Sequence, residues 1–248
     1  MSQEVCIEQF TDKGVIDSVD GIDMGFQNSS TILLEQPFVG DFQALEPDVV
    51  LSDQQTAESD ISEFFIRCFD LAGSIFILLL AAPVMVFTAV LIKLTSTGPV
   101  LYKQRRVGKN YKIFQLYKFR TMINDAEKHT GPVWAAKDDQ RVTPVGKILR
   151  CTRLDEFPQL FNVLSGDMSL VGPRPERPYF VRRHRALQGV RLMVKPGITG
   201  LAQIRAFYDL KPEHKLRYDY LYIQKRSFFL NTYILFKTVP VVLLRKGW

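Results

Sequence analysis

The sequence predicts a mainly helical α+β protein held to a membrane by one apolar helix, and three observations carry that expectation. Residues 71–94, LAGSIFILLLAAPVMVFTAVLIKL, form a run of 24 whose only charge is Lys93 near its end, which matches the length and polarity of a bilayer-inserted helix. Val100 to Met122 alternates apolar and basic residues around Gly108, the signature of a β-hairpin or short strands. Later segments read mostly as helices, punctuated by Ser165-Gly166, Gly172-Pro173 and Pro196-Gly197, pairs that favour turns.

Residues 1–60 hold 13 Asp or Glu against Lys13 alone, a net of −12, so with +6 overall the residues 61–248 carry +18. The acidic stretch shows no sustained hydrophobic period and is expected to be a loosely ordered extension. Its start, MSQEVCIEQF, lacks the basic-then-apolar pattern of a cleaved secretory signal. The basic remainder suits nucleic acid, anionic lipid or phosphorylated substrates, and charge alone does not choose among them. Cys6, Cys68 and Cys151 are odd in number and lack a CxxC spacing, so neither a disulfide framework nor a zinc site is indicated and a reducing, cytoplasm-facing body fits. His129, His184 and His214 stand apart in sequence and are expected to fill ordinary surface or core places. Three segments result: an acidic extension over 1–60, a membrane helix over 61–95 and a catalytic body over 96–248.

Arg67 and Asp70 precede the apolar run, whereas Lys93, Lys103, Arg105, Arg106, Lys109 and Lys112 follow, a bias that places the downstream body on the cytoplasmic side. Pro83, in the middle of the run, removes a backbone donor and predicts a kink. Two outcomes stay open at this point: a kinked helix that crosses the bilayer, or a helix–break–helix that returns to the same side. Composition alone favours crossing, because backbone broken in lipid needs rescue by side chains or water; Ser74 and Thr88 are the nearby candidates. The C-terminal NTYILFKTVPVVLLRKGW reads equally as a helix lying in the membrane interface or as a core helix closing the domain.

The chemistry concentrates in TRLDEFPQLFNVLSGDMSLVGPRPERP, residues 152–178. Pro158 fits a first helical turn, so a helix is expected to begin near Leu154 to Glu156 and stop at Ser165-Gly166. Asp155 and Glu156 would then sit at a helix N-terminus, where ionised carboxylates and phosphate oxygens are both favoured. Two adjacent carboxylates repel each other, and a Mg²⁺ ion shared with substrate phosphates would relieve that repulsion. Simple capping would explain the pair equally well in isolation. Arg150, Arg153, Arg174 and Arg177 nearby, with Asp167, supply the guanidinium forks that phosphoryl transfer requires. Pro173-Arg174-Pro175 fixes the dihedrals around an arginine and suits a diphosphate clamp or a plain rigid turn. Lys118 and Arg120 alternate on one strand face if the segment is extended, so both charges could meet one ligand or simply be solvated.

These residues resemble the catalytic domain of the monotopic phosphoglycosyl transferases, the bacterial polyprenyl-phosphate hexose-1-phosphate transferases. The resemblance runs from about Arg67 to the C-terminus and rests on Arg67 and Asp70, Pro83, IKLTSTGPVLYKQRRVG, KFRTM, GKILRCTRLDEFPQLFNVLSGDMSLVGPRPERP and KPGITGLAQ in that order. It implies that Asp155 is the nucleophile, forming a phosphosugar–aspartyl intermediate with release of UMP, and that Glu156 coordinates Mg²⁺. It implies phosphate roles for Lys118, Arg120, Arg150 and Arg174, and lesser, unassigned roles for Gln159, Asp167 and Asp219. At Pro83 it implies a re-entrant helix that dips into one leaflet, with interfacial amphipathic helices beside it. The partners implied are a UDP-sugar, glucose or galactose first, a polyprenyl phosphate such as undecaprenyl phosphate, and membrane lipid, with no nucleic acid. The location implied is the cytoplasmic face of a bacterial inner membrane. Tyr111 departs from the pattern, standing where relatives often carry glycine. Two rival classes remain: a membrane-anchored basic protein that binds anionic lipid or nucleic acid without catalysis, and a metal-dependent phosphohydrolase.

Overall fold

The computed structural model describes residues 53–128, 131, 133, 139–205 and 212–243. The acidic extension up to residue 52, His129 and the terminal Arg245, Lys246 and Trp248 lie outside the described residues, as does the side chain of His214. Among the described residues the architecture is mostly helical, with two small two-stranded sheets.

Helix α1, Asp53–Thr95, begins earlier than the membrane segment expected from residue 61 and continues through Pro83 as one 43-residue helix. The break expected at Pro83 is therefore not a break in the helix. One missing donor does not outweigh the hydrogen bonds on either side, which an apolar surrounding makes costly to give up. The stretch Ile61–Thr95 is long and apolar enough to cross a membrane, and 17% of its most apolar window is buried. Leu79, Leu80, Phe87 and Leu94 face outward.

The buried positions of α1, Ile66, Asp70, Ser74, Ala81, Thr88 and Ile92, fall within an arc of about 80° at 100° per residue. One face thus meets the rest of the protein both before and after Pro83. Before it, Arg67 donates from Nη1 to Val163 O at 2.6 Å and from Nη2 to Leu164 O at 3.0 Å. Asp70 Oδ1 accepts from Ser169 Oγ at 3.0 Å and Leu170 N at 2.9 Å. After it, Ile92 packs with Phe119 and Leu149.

Strands β1, Leu101–Val107, and β2, Ile113–Phe119, pair antiparallel with Tyr102 opposite Lys118 and Val107 opposite Ile113. The connection carries Asn110 at φ 51° and Tyr111 at φ 59°, left-handed backbone that glycine adopts at least cost. Tyr111 holds the glycine-like conformation, and its hydroxyl accepts a hydrogen bond from Gly189 N at 3.0 Å. The departure at this position therefore leaves the hairpin intact.

Helix α2, Pro144–Cys151, starts on Thr143, whose Oγ accepts from Gly146 N, with Pro144 in the first turn where its missing N–H costs nothing. Helix α3, Gln159–Leu164, leads to strand β3, Ser169–Val171; helix α4 covers Pro178–Arg183. Strand β4, Gly197–Thr199, pairs parallel with β3, Ser169 opposite Gly197. Helices α5, Leu201–Arg205, α6, Pro212–Gln224, and α7, Phe228–Leu243, complete the body.

The main core gathers Phe114 and Leu116 of β2, Leu160 and Val163 of α3, Leu170 and Val171 of β3, Tyr222 of α6 and Ile234 of α7. The reading of the C-terminal helix as a core helix holds in part. Its Asn231 and Ile234 are buried, while Phe229, Phe236 and Val239 stand out from the body.

Candidate active site

Two hydrogen-bonded units bring the charged residues together. Asn162 of α3 accepts from Tyr117 N at 3.0 Å and donates to Gln115 O at 2.7 Å, which fixes α3 against β2. Helix α2 approaches the end of β2 so closely that a Cβ on Gly146 would lie 2.0 Å from Thr121 O. Between α2 and α3 the chain turns through Arg153, at φ 58°, into a 3₁₀ turn over Leu154–Glu156.

Asp155 and Glu156 occupy that turn and are both buried. The sequence places them at the N-terminus of the helix; the structure sets them in a separate 3₁₀ turn ahead of α3. The N–H groups of Glu156 and Phe157 are taken by Arg153 O and Leu154 O, so the carboxylates draw on side-chain charge rather than on a free helix end. Glu156 Oε1 lies 2.7 Å from Arg174 Nη2, 3.1 Å from Lys118 Nζ and 3.8 Å from Arg153 Nη1. Burial alone would raise the Glu156 carboxyl, but Arg174 and Lys118 overcome it and hold the group well below the ordinary carboxylate value. Lys118 is lowered by its own burial, with Glu156 opposing.

Asp155 differs from its neighbour. Its Oδ1 is buried with no hydrogen-bond partner. Burial pushes the carboxyl up to about 6, against the pull of Lys118 and with a further push from Glu156. An adjacent pair whose environments drive their proton affinities apart is a division of labour seen in catalytic carboxylates: one stays a fixed anion, the other is a poorly solvated, reactive one.

Residues 61–245 match the bacterial sugar transferase family. The chain belongs to that family. A UDP-N-acetylgalactosamine-undecaprenyl-phosphate N-acetylgalactosaminephosphotransferase of Aeromonas hydrophila is 44% identical over 195 residues, covering 76% of this chain and 46% of the relative. A UDP-glucose:undecaprenyl-phosphate glucose-1-phosphate transferase of Klebsiella pneumoniae is 44% identical over 187 residues, 72% of this chain and 40% of the relative. The exopolysaccharide production protein PSS of Rhizobium leguminosarum bv. phaseoli is 40% identical over 202 residues, 73% of this chain and 97% of that protein. The chain spans less than half the length of the first two relatives and nearly all of the third.

Lys118, Arg153 and Arg174 converge on Glu156, and Arg150 lies near enough to Asp155 to lower it. Arg150 Nε donates to Thr121 Oγ at 2.8 Å. Arg120 takes another direction. Its Nη2 donates to Ser96 O at 2.9 Å and Ser96 Oγ at 2.7 Å, at the end of α1, and its Nε and Nη1 are buried without partners. Arg120 lies just past the last residue of β2, so the two-residue alternation that would align it with Lys118 no longer applies.

Gln159 is buried with an unpartnered Nε2, one helical turn from Asp155. Asp167 sits past the other end of α3, where Ser165 Oγ donates to it at 2.9 Å, and no described contact joins it to the carboxylate pair. Asp219 pairs with Arg191, Nε to Oδ2 2.6 Å, both almost fully buried. Sequence reasoning missed Arg191, Arg106 and Asn162. A lone arginine inside GVRLMV and a lone asparagine inside LFNVL were the available signals, since a polar group in an apolar run needs a buried partner.

For Mg²⁺, the adjacent carboxylates with an orphaned Asp155 oxygen suit an ion that takes one or two protein carboxylates and completes its shell with water and phosphate oxygens. Among the described residues no group of three or more His, Cys, Asp or Glu forms an all-protein cage.

Proposed function

We propose that this chain transfers a sugar-1-phosphate from a UDP-sugar to a polyprenyl phosphate such as undecaprenyl phosphate, releasing UMP, as the first step of exopolysaccharide or O-antigen type glycan synthesis. The supporting observation is the asymmetric carboxylate pair: a desolvated Asp155 beside a Glu156 neutralised by Lys118, Arg153 and Arg174. The relatives' names supply the substrate classes.

Asp155 attacks the β-phosphorus of the donor as its carboxylate, so a P–O bond to the aspartate forms and the P–O bond to UMP breaks. UMP leaves with the electron pair. Arg174 and Lys118, held at Glu156 in the resting site, balance the charge gathering on the phosphoryl oxygens. An oxygen of the polyprenyl phosphate then attacks the aspartyl phosphosugar, which restores the Asp155 carboxylate and yields polyprenyl-diphospho-sugar. Mg²⁺ held by Glu156 and the donor phosphates would neutralise part of the diphosphate charge.

The apolar outward face of α1, with Phe229 and Phe236 of α7, supports a body seated at the lipid surface, where a lipid-borne phosphate meets a soluble donor. A single face of α1 in contact with the body on both sides of Pro83 supports one unbroken helix lying along the body, and the basic residues that follow it support a catalytic body on the cytoplasmic face of the inner membrane. In the test, purified protein receives radiolabelled UDP-sugar without lipid acceptor and is then denatured. Label is expected on wild-type protein and absent from Asp155→Asn. Equal labelling of the two proteins would refute the assignment.

A further inference from the structure

Arg174 is presented from Pro173-Arg174-Pro175, and the prolines leave that loop poor in donors of its own. Four consecutive carbonyls are nevertheless satisfied, each by a different donor. Pro173 O accepts from Gly197 N at 2.9 Å and Glu176 O from Val107 N at 3.0 Å. Pro175 O accepts from Arg106 Nη1 at 2.9 Å. Arg174 O accepts from Arg191 Nη2 at 2.5 Å. The loop is gripped by β4, by β1 and, at its central arginine, by one buried guanidinium.

Arg191 is itself held by Asp219 of α6. One turn earlier on the same face of α6, Lys215 lies 3.7 Å from Glu176, which also faces Arg106 at 3.6 Å. Helix α6 therefore bears on residues 174–176 through two charged contacts four residues apart. A buried ion pair is a poor device for stability alone, because desolvation offsets its attraction. A guanidinium bridging a carboxylate and a carbonyl does something an apolar pair cannot: it fixes where that carbonyl, and hence the side chain on the same residue, stands.

We infer that Arg191 and Asp219 are positioning residues for donor-phosphate transfer, acting through the backbone of Arg174. This rests on the transferase reading above, in which the Arg174 side chain balances phosphoryl charge. Misplacing a catalytic group by about 1 Å costs on the order of 100-fold in rate, so Asp219→Asn should lower the kcat of UMP release by about 10- to 100-fold, with the KM for polyprenyl phosphate unchanged. A purely structural defect would act whether or not Arg174 keeps its side chain; a positioning defect would not.

The experiment is a double-mutant cycle on the full chain in lipid nanodiscs, reading UMP release by wild type, Asp219→Asn, Arg174→Ala and the double variant. Asp219→Asn is expected to cost less than about 3-fold once Arg174 is already alanine, the signature of residues acting as one unit. An equal fold-loss in both backgrounds, or an undiminished kcat in Asp219→Asn alone, overturns the inference and leaves the transferase reading in place. Wild-type protein that releases no UMP from any UDP-sugar overturns that reading and the inference with it. If Asp219→Asn does not fold, Arg191→Gln runs the same cycle with the same outcomes.

Discussion

Replacing Asp155 by asparagine should make the protein inactive and more stable at the same time. Burial pushes the Asp155 carboxyl from its ordinary 3.8 up to about 6, so the folded state prefers this group protonated. For an acid shifted in that direction, stability is full below the unfolded value of 3.8 and is lost as pH rises, reaching a plateau above about 6. The shift of about 2 units corresponds to roughly 3 kcal/mol at pH 8, at about 1.4 kcal/mol per unit. Near pH 4.5 the same linkage leaves only about 1 kcal/mol. Asparagine copies the neutral carboxyl in shape and abolishes the penalty. Denaturant or thermal unfolding of the two proteins at pH 8 and pH 4.5, in the same detergent, measures the difference directly. The Asp155→Asn variant should gain about 3 kcal/mol at pH 8 and most of that gain should vanish at pH 4.5. A variant no more stable than wild type at pH 8, or one with the same gain at both pH values, would refute the view that burial raises the Asp155 carboxyl.

Glu156→Gln should act in the opposite sense, because it strands Lys118 and Arg174 without their anion; a loss of about 3 kcal/mol at pH 7, typical of a broken buried pair, is expected in the same unfolding assay. The wild-type Glu156 contribution is present above its ordinary 4.5 and fades as pH falls through its lowered folded value. With donor far below saturation, where the free protein's groups govern the rate, the pH profile of intermediate formation, read as protein-bound label, should show its acid limb near 6, and a limb near 4 would contradict the burial argument. Gly197→Ala would place a Cβ 2.0 Å from Gly172 N and 2.5 Å from Thr199 O, backbone atoms that cannot turn aside. It should cost at least about 3 kcal/mol, at or above the usual overpacking range, with loss of UMP release, and a fully active, stable variant would show that the β3–β4 contact does not hold the proline loop.

The chain's own pattern determines a good deal of this protein. The 24-residue apolar run leads directly to the long apolar stretch of α1, and the alternation around Gly108 to the β1–β2 pairing, because both signals are local in sequence. Asp155, Glu156 and Arg174 are also legible, since the 3₁₀ turn and the proline-flanked arginine depend on neighbours in sequence. Tertiary structure alone decides the rest. Lys118 reaches Glu156 across 38 residues, Arg191 reaches Asp219 across 28, and Arg120 turns away to Ser96. Which of two identical carboxylate chemistries becomes the buried, raised one and which the neutralised one is likewise set by what packs around them. The reason is that charge interaction and desolvation depend on distance and burial, quantities that the order of residues does not contain until the chain has closed on itself.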